Sequence, residues 1–271
     1  MARAFLGGPF RLAALLARHP ACRALLCRYI DSRWPGSQTS LIARTRLIDD
    51  YLASALASGM RQVVLLGAGF DSRAYRMPDG GRVQFFEIDH PNTSVTKKAR
   101  VLRSLGTLPE HVRYVPVDFQ RESLRKALGE SGFEPAVRSL FLWEGVSNYL
   151  TEEAVRATVL LISTLAPGTQ LIFTYVDEAV IRNPSASIGG REVQRTFAKL
   201  QEPWTFGIRP DHAAVFFNEC GLCLDSDLSA KEYRKLYYGA GARIKGCEFY
   251  HVATAHVPSD GERLSAEVCR A

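Results

Sequence analysis

The chain has 271 residues, 46% apolar and 23% charged, the balance of a globular protein long enough to bury a full core. It contains no charge-free apolar run of about eighteen residues, which argues against a membrane-spanning helix. The formal charge of +6 comes from 34 basic and 28 acidic residues. The basic residues form no long run, so a solvated basic surface is favoured over a nucleic-acid interface.

Residues 1–30 carry five arginines and no acid. They admit two readings: an organelle transit segment, or an amphipathic helix, broken at Pro20, folded onto the body. The absence of serine favours the helix, and the expected compartment is then cytoplasmic. Trp34-Pro35-Gly36 marks a loop. A helix follows from Leu41 to about Ala57, capped by Thr39 or Ser40 and stopped at Ser58-Gly59. Leu41, Ile48, Leu52, Ala55 and Leu56 share its apolar face, with Arg44 at the edge and Arg46 on the far side, in reach of Asp50. A buried-side arginine requires an anion, either a ligand carboxylate or a structural salt bridge.

The period then changes. Short apolar runs at 62–66, 83–88, 112–117, 139–143 and 170–176 alternate with helical stretches at about 92–105, 121–130 and 152–165. The last of these is capped by Thr151 and stopped at Pro167-Gly168. Such alternation predicts parallel strands joined by crossover helices. From 177 to about 212 the pattern is interrupted by a segment rich in Asn, Pro, Ser and Gly, read as an insertion over the active face, with an amphipathic piece at 190–201. A helix at 211–219, a strand near 222–226, a long connection and a final strand at 249–256 suit a last strand inserted antiparallel. Cys220-x-x-Cys223, with Cys247 and His251, admits a zinc site. The Gly221 between the two cysteines reads instead as a helix end passing into a strand, leaving reduced, packed thiols and no metal.

The strand ends carry the chemistry. The first closes on Leu66-Gly67-Ala68-Gly69-Phe70-Asp71-Ser72-Arg73 and the second on Glu87-Ile88-Asp89, a glycine turn and a carboxylate that suit a nucleotide. The dinucleotide fingerprint needs a third glycine where Ser72 stands, and Asp71 beside it would repel a pyrophosphate. Both count against a nicotinamide dehydrogenase. They fit S-adenosylmethionine, which has no phosphate and carries sulfonium and ammonium groups. The third run closes on Asp118-Phe119, able to accept from an adenine amino group and pack on its ring, and the fourth on Glu144-Gly145. In a parallel sheet these four stations face one crevice, although each acid alone could simply cap the following helix.

With Ile42-Ala43-Arg44-Thr45-Arg46, Ile48-Asp49-Asp50, Phe86-Glu87-Ile88-Asp89-His90-Pro91, Val117-Asp118-Phe119 and Glu144 through Leu150, the chain resembles the leucine carboxyl methyltransferase family. Glu202-Pro203-Trp204-Thr205-Phe206-Gly207-Ile208 resembles its microbial small-molecule branch. The resemblance covers about residues 40–255. It implies an α/β class I methyltransferase, Rossmann-like fold: a seven-stranded, mostly parallel sheet with an antiparallel last strand. A single domain 1–271 would comprise an N-terminal helical lid (1–58), a cofactor-binding half (59–176), the insertion after the fifth strand (177–212) and C-terminal strands (213–257).

For the site, the resemblance implies S-adenosyl-L-methionine held by Arg44 at the methionine carboxylate, Gly67 in the turn, Asp89 on the ribose, Asp118 and Phe119 on the adenine, and Glu144 near the ammonium. Gly69 and Asp71 complete the glycine turn. The phosphatase-methylating members resemble Asp-Leu-Arg after the third strand, where this chain has Asp118-Phe119-Gln120, followed by Arg121. The chain is also short for that branch. Both features favour a small-molecule acceptor over a protein C-terminal leucine. The expected activity is O-methylation of a carboxylate or hydroxyl. Its alternatives are protein carboxyl methylation and a non-catalytic cofactor-binding partner subunit.

A carboxylate acceptor needs no base, whereas a hydroxyl does. Tyr149 and Tyr175 are the candidates near the crevice, each with the alternative of a packed, hydrogen-bonded phenol. His251 reads as structural. Arg182 and Arg191 are either contacts for an acidic substrate or solvated surface charge.

Overall fold

The computed structural model describes residues 5–77, 82–118, 122–199, 203–239 and 246–262. Three helices come first: α1 (Gly8–Leu16), α2 (Pro20–Arg33) and α3 (Ser37–Ala57). The alternating part follows as β1 (Gln62–Leu66), α4 (Arg73–Arg76), β2 (Gln84–Asp89), α5 (Pro91–Leu105), β3 (Val112–Pro116), α6 (Leu124–Glu130), β4 (Ser139–Trp143), α7 (Glu152–Ser163) and β5 (Gln170–Val176). The chain continues through α8 (Glu178–Arg182), α9 (Gly190–Lys199), α10 (Ala213–Glu219), β6 (Cys223–Ser229), α11 (Ala230–Tyr238) and β7 (Tyr250–His256).

The seven strands form one sheet in the order β3-β2-β1-β4-β5-β7-β6. Neighbours from β3 to β5 pair parallel, and β7 runs antiparallel between β5 and β6. This is the expected sheet with its inserted last strand. β1 and β4 are buried along their whole length, as a parallel sheet covered on both faces requires. Alternate residues of β1 and β4 point to opposite faces: Val64, Leu66, Phe141 and Trp143 enter one core, and Val63, Leu65, Leu140 and Leu142 the other.

Two details of the helices depart from expectation. α3 begins at Ser37 rather than Leu41, because the fully buried Ser40 is already helical and its hydroxyl donates to the Cys247 carbonyl at 2.9 Å instead of capping. Gly36 precedes it with φ +73°, and a Cβ there would lie 2.5 Å from the Gly246 Cα, so the loop before α3 is pressed against the approach to β7. The second departure is α11, inside what reads in sequence as a long connection. It opens on a capping box between Ser229 and Glu232, and buries Ala230, Tyr233 and Arg234 against α3 and β7. It also takes up the outer face of α3: Arg46 lies over the Tyr237 ring at 4.8 Å, and Asp50 accepts from the Tyr237 hydroxyl at 2.6 Å.

The N-terminal helices lie partly open. Phe10, Leu12, Leu15, Leu16 and Leu25 are exposed, and among the described residues up to the end of α2 only Phe5 is deeply buried, against Phe70 and Tyr75. No helix among the described residues is long and apolar enough to cross a membrane.

Beneath the glycine turn lies a buried ion pair that sequence reading passes over. Lys97 of α5 meets Glu87 of β2 at 2.8 Å, both side chains 2% exposed, and the Lys97 ammonium also donates to the Ala68 carbonyl at 3.3 Å. The Tyr75 hydroxyl donates to the other Glu87 oxygen at 2.9 Å. Burial pushes the Glu87 carboxyl from its ordinary 4.5 up to about 7, against the opposing pull of Lys97. The folded protein therefore holds this proton more tightly than the unfolded chain. Glu87 contributes stability that is complete below about pH 4.5 and is lost as pH rises through 7. In urea unfolding across pH 4.5 to 8, Glu87→Gln should remove that part of the slope; an unchanged slope would assign the pH dependence elsewhere.

Candidate functional site

The sheet order reverses between β1 and β4, which makes their carboxyl ends the topological switch point where ligands bind in open α/β sheets. The sequence places a station at each strand end there. Gly67 follows β1, Asp89 closes β2, Asp118 stands two residues beyond β3, and Glu144 follows β4. The pairing register sets Asp89 opposite Pro116, and the Val117 N–H donates to the Asp89 carbonyl at 2.8 Å, so the β2 and β3 stations are neighbours. Phe119 lies outside the described residues, as do Gln120 and Arg121.

Gly67 is glycine for two reasons. Its φ of +66° suits no ordinary side chain, and a Cβ there would lie 2.5 Å from Val146 Cγ2. Gly69, at φ +41°, would place a Cβ 3.8 Å from the Gly67 carbonyl oxygen, an ordinary contact, so its backbone angle rather than crowding favours glycine. Its N–H donates to one Asp89 oxygen, and the His90 N–H donates to the other at 2.7 Å. The β2 carboxylate is thus aimed at the turn by two backbone amides.

Around this turn runs a network of six charges. Arg73, only 4% exposed, donates through Nε to Asp49 at 2.8 Å, and its Nη1 lies 2.5 Å from Asp71 and 2.8 Å from Glu144. Asp71 also accepts from the Arg73 N–H at 2.7 Å. Arg76 adds a second contact to Asp49 at 2.7 Å, and Arg44 Nε donates to the other Glu144 oxygen at 3.0 Å. Three arginines match three carboxylates. Burial opposes the charge on Glu144, but Arg44 and Arg73 outweigh it and hold the carboxyl below its ordinary value. The same contest at Asp49 is won by Arg76 and Arg73.

Two expectations change here. In this structure Arg44 makes the salt bridge that was its alternative reading. Asp71 does not present a free charge to a ligand, because Arg73 contacts both of its oxygens. The repulsion that Asp71 would exert on a pyrophosphate is therefore largely compensated. Arg73 was missed as a site residue. Its one signal in sequence was position, at the start of a helix two residues after Asp71.

Two cavities meet at this network. One, of about 420 Å3, is lined by the glycine turn from Leu65 to Arg73 together with Glu144. The other, of about 630 Å3, is enclosed by α2, α3, α9, α11 and the approach to β7, and is mostly apolar. Arg44 and Gly145 line both. Tyr149 is brought to the second cavity, its ring 5.4 Å from that of Phe197.

Tyr175 is not brought to either cavity. It is fully buried between Phe173 and His251, its hydroxyl donates to Asp227, and burial together with that carboxylate pushes its phenol up. Its alternative, the packed and bonded phenol, is what the structure contains. His251 meets the same Asp227 at 3.1 Å. Arg182 pairs with Glu178 and Arg191 with Ser185 on the surface, and neither lines a cavity. Cys220 closes α10, Gly221 at φ +78° turns the chain, and β6 begins at Cys223. Among the described residues no group of three His, Cys, Asp or Glu could hold a metal.

A profile of the leucine carboxyl methyltransferase family matches residues 16–163. The chain belongs to this family. Bacillus subtilis YktD, provisionally named an S-adenosyl-L-methionine-dependent methyltransferase, is 29% identical over 199 residues, 73% of this chain and 65% of that protein. A Frankia alni protein of the same provisional name is 40% identical over 153 residues, covering 55% and 52%. The chain thus spans about half to two thirds of the length of the curated relatives it matches. Among solved structures, a provisionally named methyltransferase from Thermobifida fusca has a TM-score of 0.61 at 17% identity, covering 96% of this chain and 95% of that one. A duf574 family protein from Streptomyces avermitilis has a TM-score of 0.58 at 16% identity, covering 95% and 97%. At these identities they show a shared fold, the class I methyltransferase sheet expected from the resemblance.

Removing Arg73 would leave Asp49, Asp71 and Glu144 with unbalanced charge in a largely buried setting. Arg73→Met should lower unfolding stability by about 3 kcal/mol, the scale for breaking a buried ion pair from one side. Urea denaturation checks this, and a loss below about 1 kcal/mol would mean that the carboxylates are adequately solvated without it.

Proposed function

We propose that the protein is an S-adenosyl-L-methionine-dependent O-methyltransferase acting on a small molecule. The supporting observation is that a polar cavity at the glycine turn and an apolar cavity under the helices share Arg44 and Gly145, so two ligands can meet there. Group transfer requires such a meeting, with the reacting atoms aligned and water kept out. A binding module for the cofactor alone would have no use for the second cavity.

The residues fit the cofactor. The Gly67-to-Gly69 turn, with no side chain at either glycine, lets a ligand approach the backbone. Asp89 would accept from ribose hydroxyls, and Asp118, with Phe119, would hold the adenine. Arg44 and Glu144 offer one charge of each sign to the carboxylate and ammonium of the methionine part, and Gly69 and Asp71 shape the turn beside it. The network of three cations and three anions is balanced, so a zwitterion can enter by exchanging partners rather than by adding uncompensated charge. When bound, adenosylmethionine supplies a methyl group on a positively charged sulfur. α2, α3 and α9 line the apolar cavity, where they would serve as a lid and an inserted cover on the acceptor side. Tyr149, on that side, would contact the acceptor.

Adenosylmethionine should raise the melting temperature, because a ligand of the native state stabilises it, while a nicotinamide dinucleotide should not. No shift at saturating adenosylmethionine would remove the cofactor assignment. Asp89→Ala should weaken adenosylmethionine by about 1–3 kcal/mol through lost hydrogen bonds, measured by calorimetry. Unchanged affinity would take Asp89 out of the ribose role.

A further inference from the structure

The cavity under the helices has a composition that restricts what can occupy it. Its walls are mainly aromatic: Trp34, Tyr149, Phe197, Tyr233, Phe249 and Tyr250. Arg44 is the single charged residue among the described residues lining it, stacked over the Tyr250 ring at 4.7 Å and joined to Glu144. No Asp, Glu or His is among those residues. Burial pushes the Tyr233 and Tyr250 phenols and the Cys247 thiol up, so these groups keep their protons and can donate hydrogen bonds but not take protons from an acceptor.

Most polar groups of the wall are engaged within the protein. The Ser37 hydroxyl donates to the Trp34 carbonyl at 2.8 Å, and the Ser40 hydroxyl to the Cys247 carbonyl at 2.9 Å. The Trp34 indole donates to Thr196 at 2.9 Å, and the Gln38 amide to Cys27 Sγ at 3.1 Å. A peptide drawn into this space would bury amide groups without partners, which is unfavourable. One wall group differs. The Tyr233 hydroxyl, on a side chain with no exposure, has no hydrogen-bond partner among the described residues. A buried phenol of this kind calls for an explanation, and a ligand oxygen would supply one.

We propose that this cavity is the acceptor site for an apolar, non-peptidic molecule carrying one oxygen acid that is already ionised when it binds, with the Tyr233 hydroxyl and Arg44 orienting that oxygen. The proposal rests on the methyltransferase reading and narrows it to a substrate class. With such an acceptor no base is required. The ionised oxygen forms a bond to the methyl carbon as the carbon–sulfur bond breaks, and the sulfur keeps that electron pair. An anion and a sulfonium become a neutral methylated product and a neutral thioether, with no proton transferred. The mouth of the cavity bears Leu41 and Ile42, both exposed, which offers an apolar ligand an apolar entrance.

The test is direct binding, followed by Trp fluorescence and thermal shift, with naphthoate and decanoate as probes. Naphthol, methyl naphthoate and a short leucine-terminated peptide are the comparators. Naphthoate or decanoate should bind at least tenfold more tightly than every comparator. Tyr233→Phe should weaken that acid about tenfold, as loss of a hydrogen bond to a charged group implies. Ile30→Trp, which fills the cavity from α2, should abolish acid binding while the adenosylmethionine shift persists, showing that the variant is folded. Equal or tighter binding of the peptide or of naphthol overturns the proposal, as does failure of both acids to bind. Unaltered acid affinity in Tyr233→Phe overturns the role of that hydroxyl. Absence of the adenosylmethionine shift in the unaltered protein counts against the cofactor reading instead. The acid panel, run without cofactor, still decides the cavity.

Discussion

A buried guanidinium, Arg73, fixes the geometry of the switch point between β1 and β4. It draws Asp49 from α3, Asp71 from the glycine turn and Glu144 from the end of β4 onto one planar group. Three segments far apart in sequence are thereby held at hydrogen-bond distance. A planar fork with several donors can do this where a lysine could not, since an ammonium offers a single point of charge. Both cavities depend on the arrangement. Glu144, held on one oxygen by Arg73, offers the other to Arg44, and Arg44 forms the partition between the polar and apolar sides.

The two sides differ in how they treat polar groups. On the glycine-turn side, charges are numerous, balanced and largely buried, a setting that tolerates exchange of partners with a charged ligand. On the helical side, polar groups are few and mostly bonded within the protein, so what the cavity offers a ligand is shape, apolar contact and the Tyr233 hydroxyl. An enzyme that joins a highly polar donor to a much less polar acceptor benefits from this division, because neither ligand fits well in the other's place.

Each strand-end station was legible because it depends on local rules. A glycine turn after an apolar run, and an acid at the end of the next, follow from strand, turn and helix chemistry within about twenty-five residues. The helix around Arg44 was legible from periodicity, and so was the burial of Arg44 itself. α11 was not. Its nine residues, AKEYRKLYY, look polar, and their apolar character lies in tyrosines: Tyr233 buries its ring across the fold, and the Tyr237 and Tyr238 hydroxyls find their partners on α3. The start of α3 was misplaced for a related reason: Ser40, an attractive cap in sequence, is engaged by the Cys247 carbonyl, more than two hundred residues away.

By itself the sequence determined the sheet, its parallel and antiparallel strands, the four stations at the strand ends and the family, because periodicity and turn chemistry are short-range and survive without knowledge of partners. Tertiary structure decided which charges meet. Arg73 compensates Asp71, Arg44 meets Glu144, and Tyr175 turns to Asp227 and away from both cavities. It also decided the apolar cavity, which draws its walls from α2, α3, α9, α11 and the approach to β7. No spacing rule links those five segments. Only packing brings them together, and a side chain's chemistry is set by what packing places beside it.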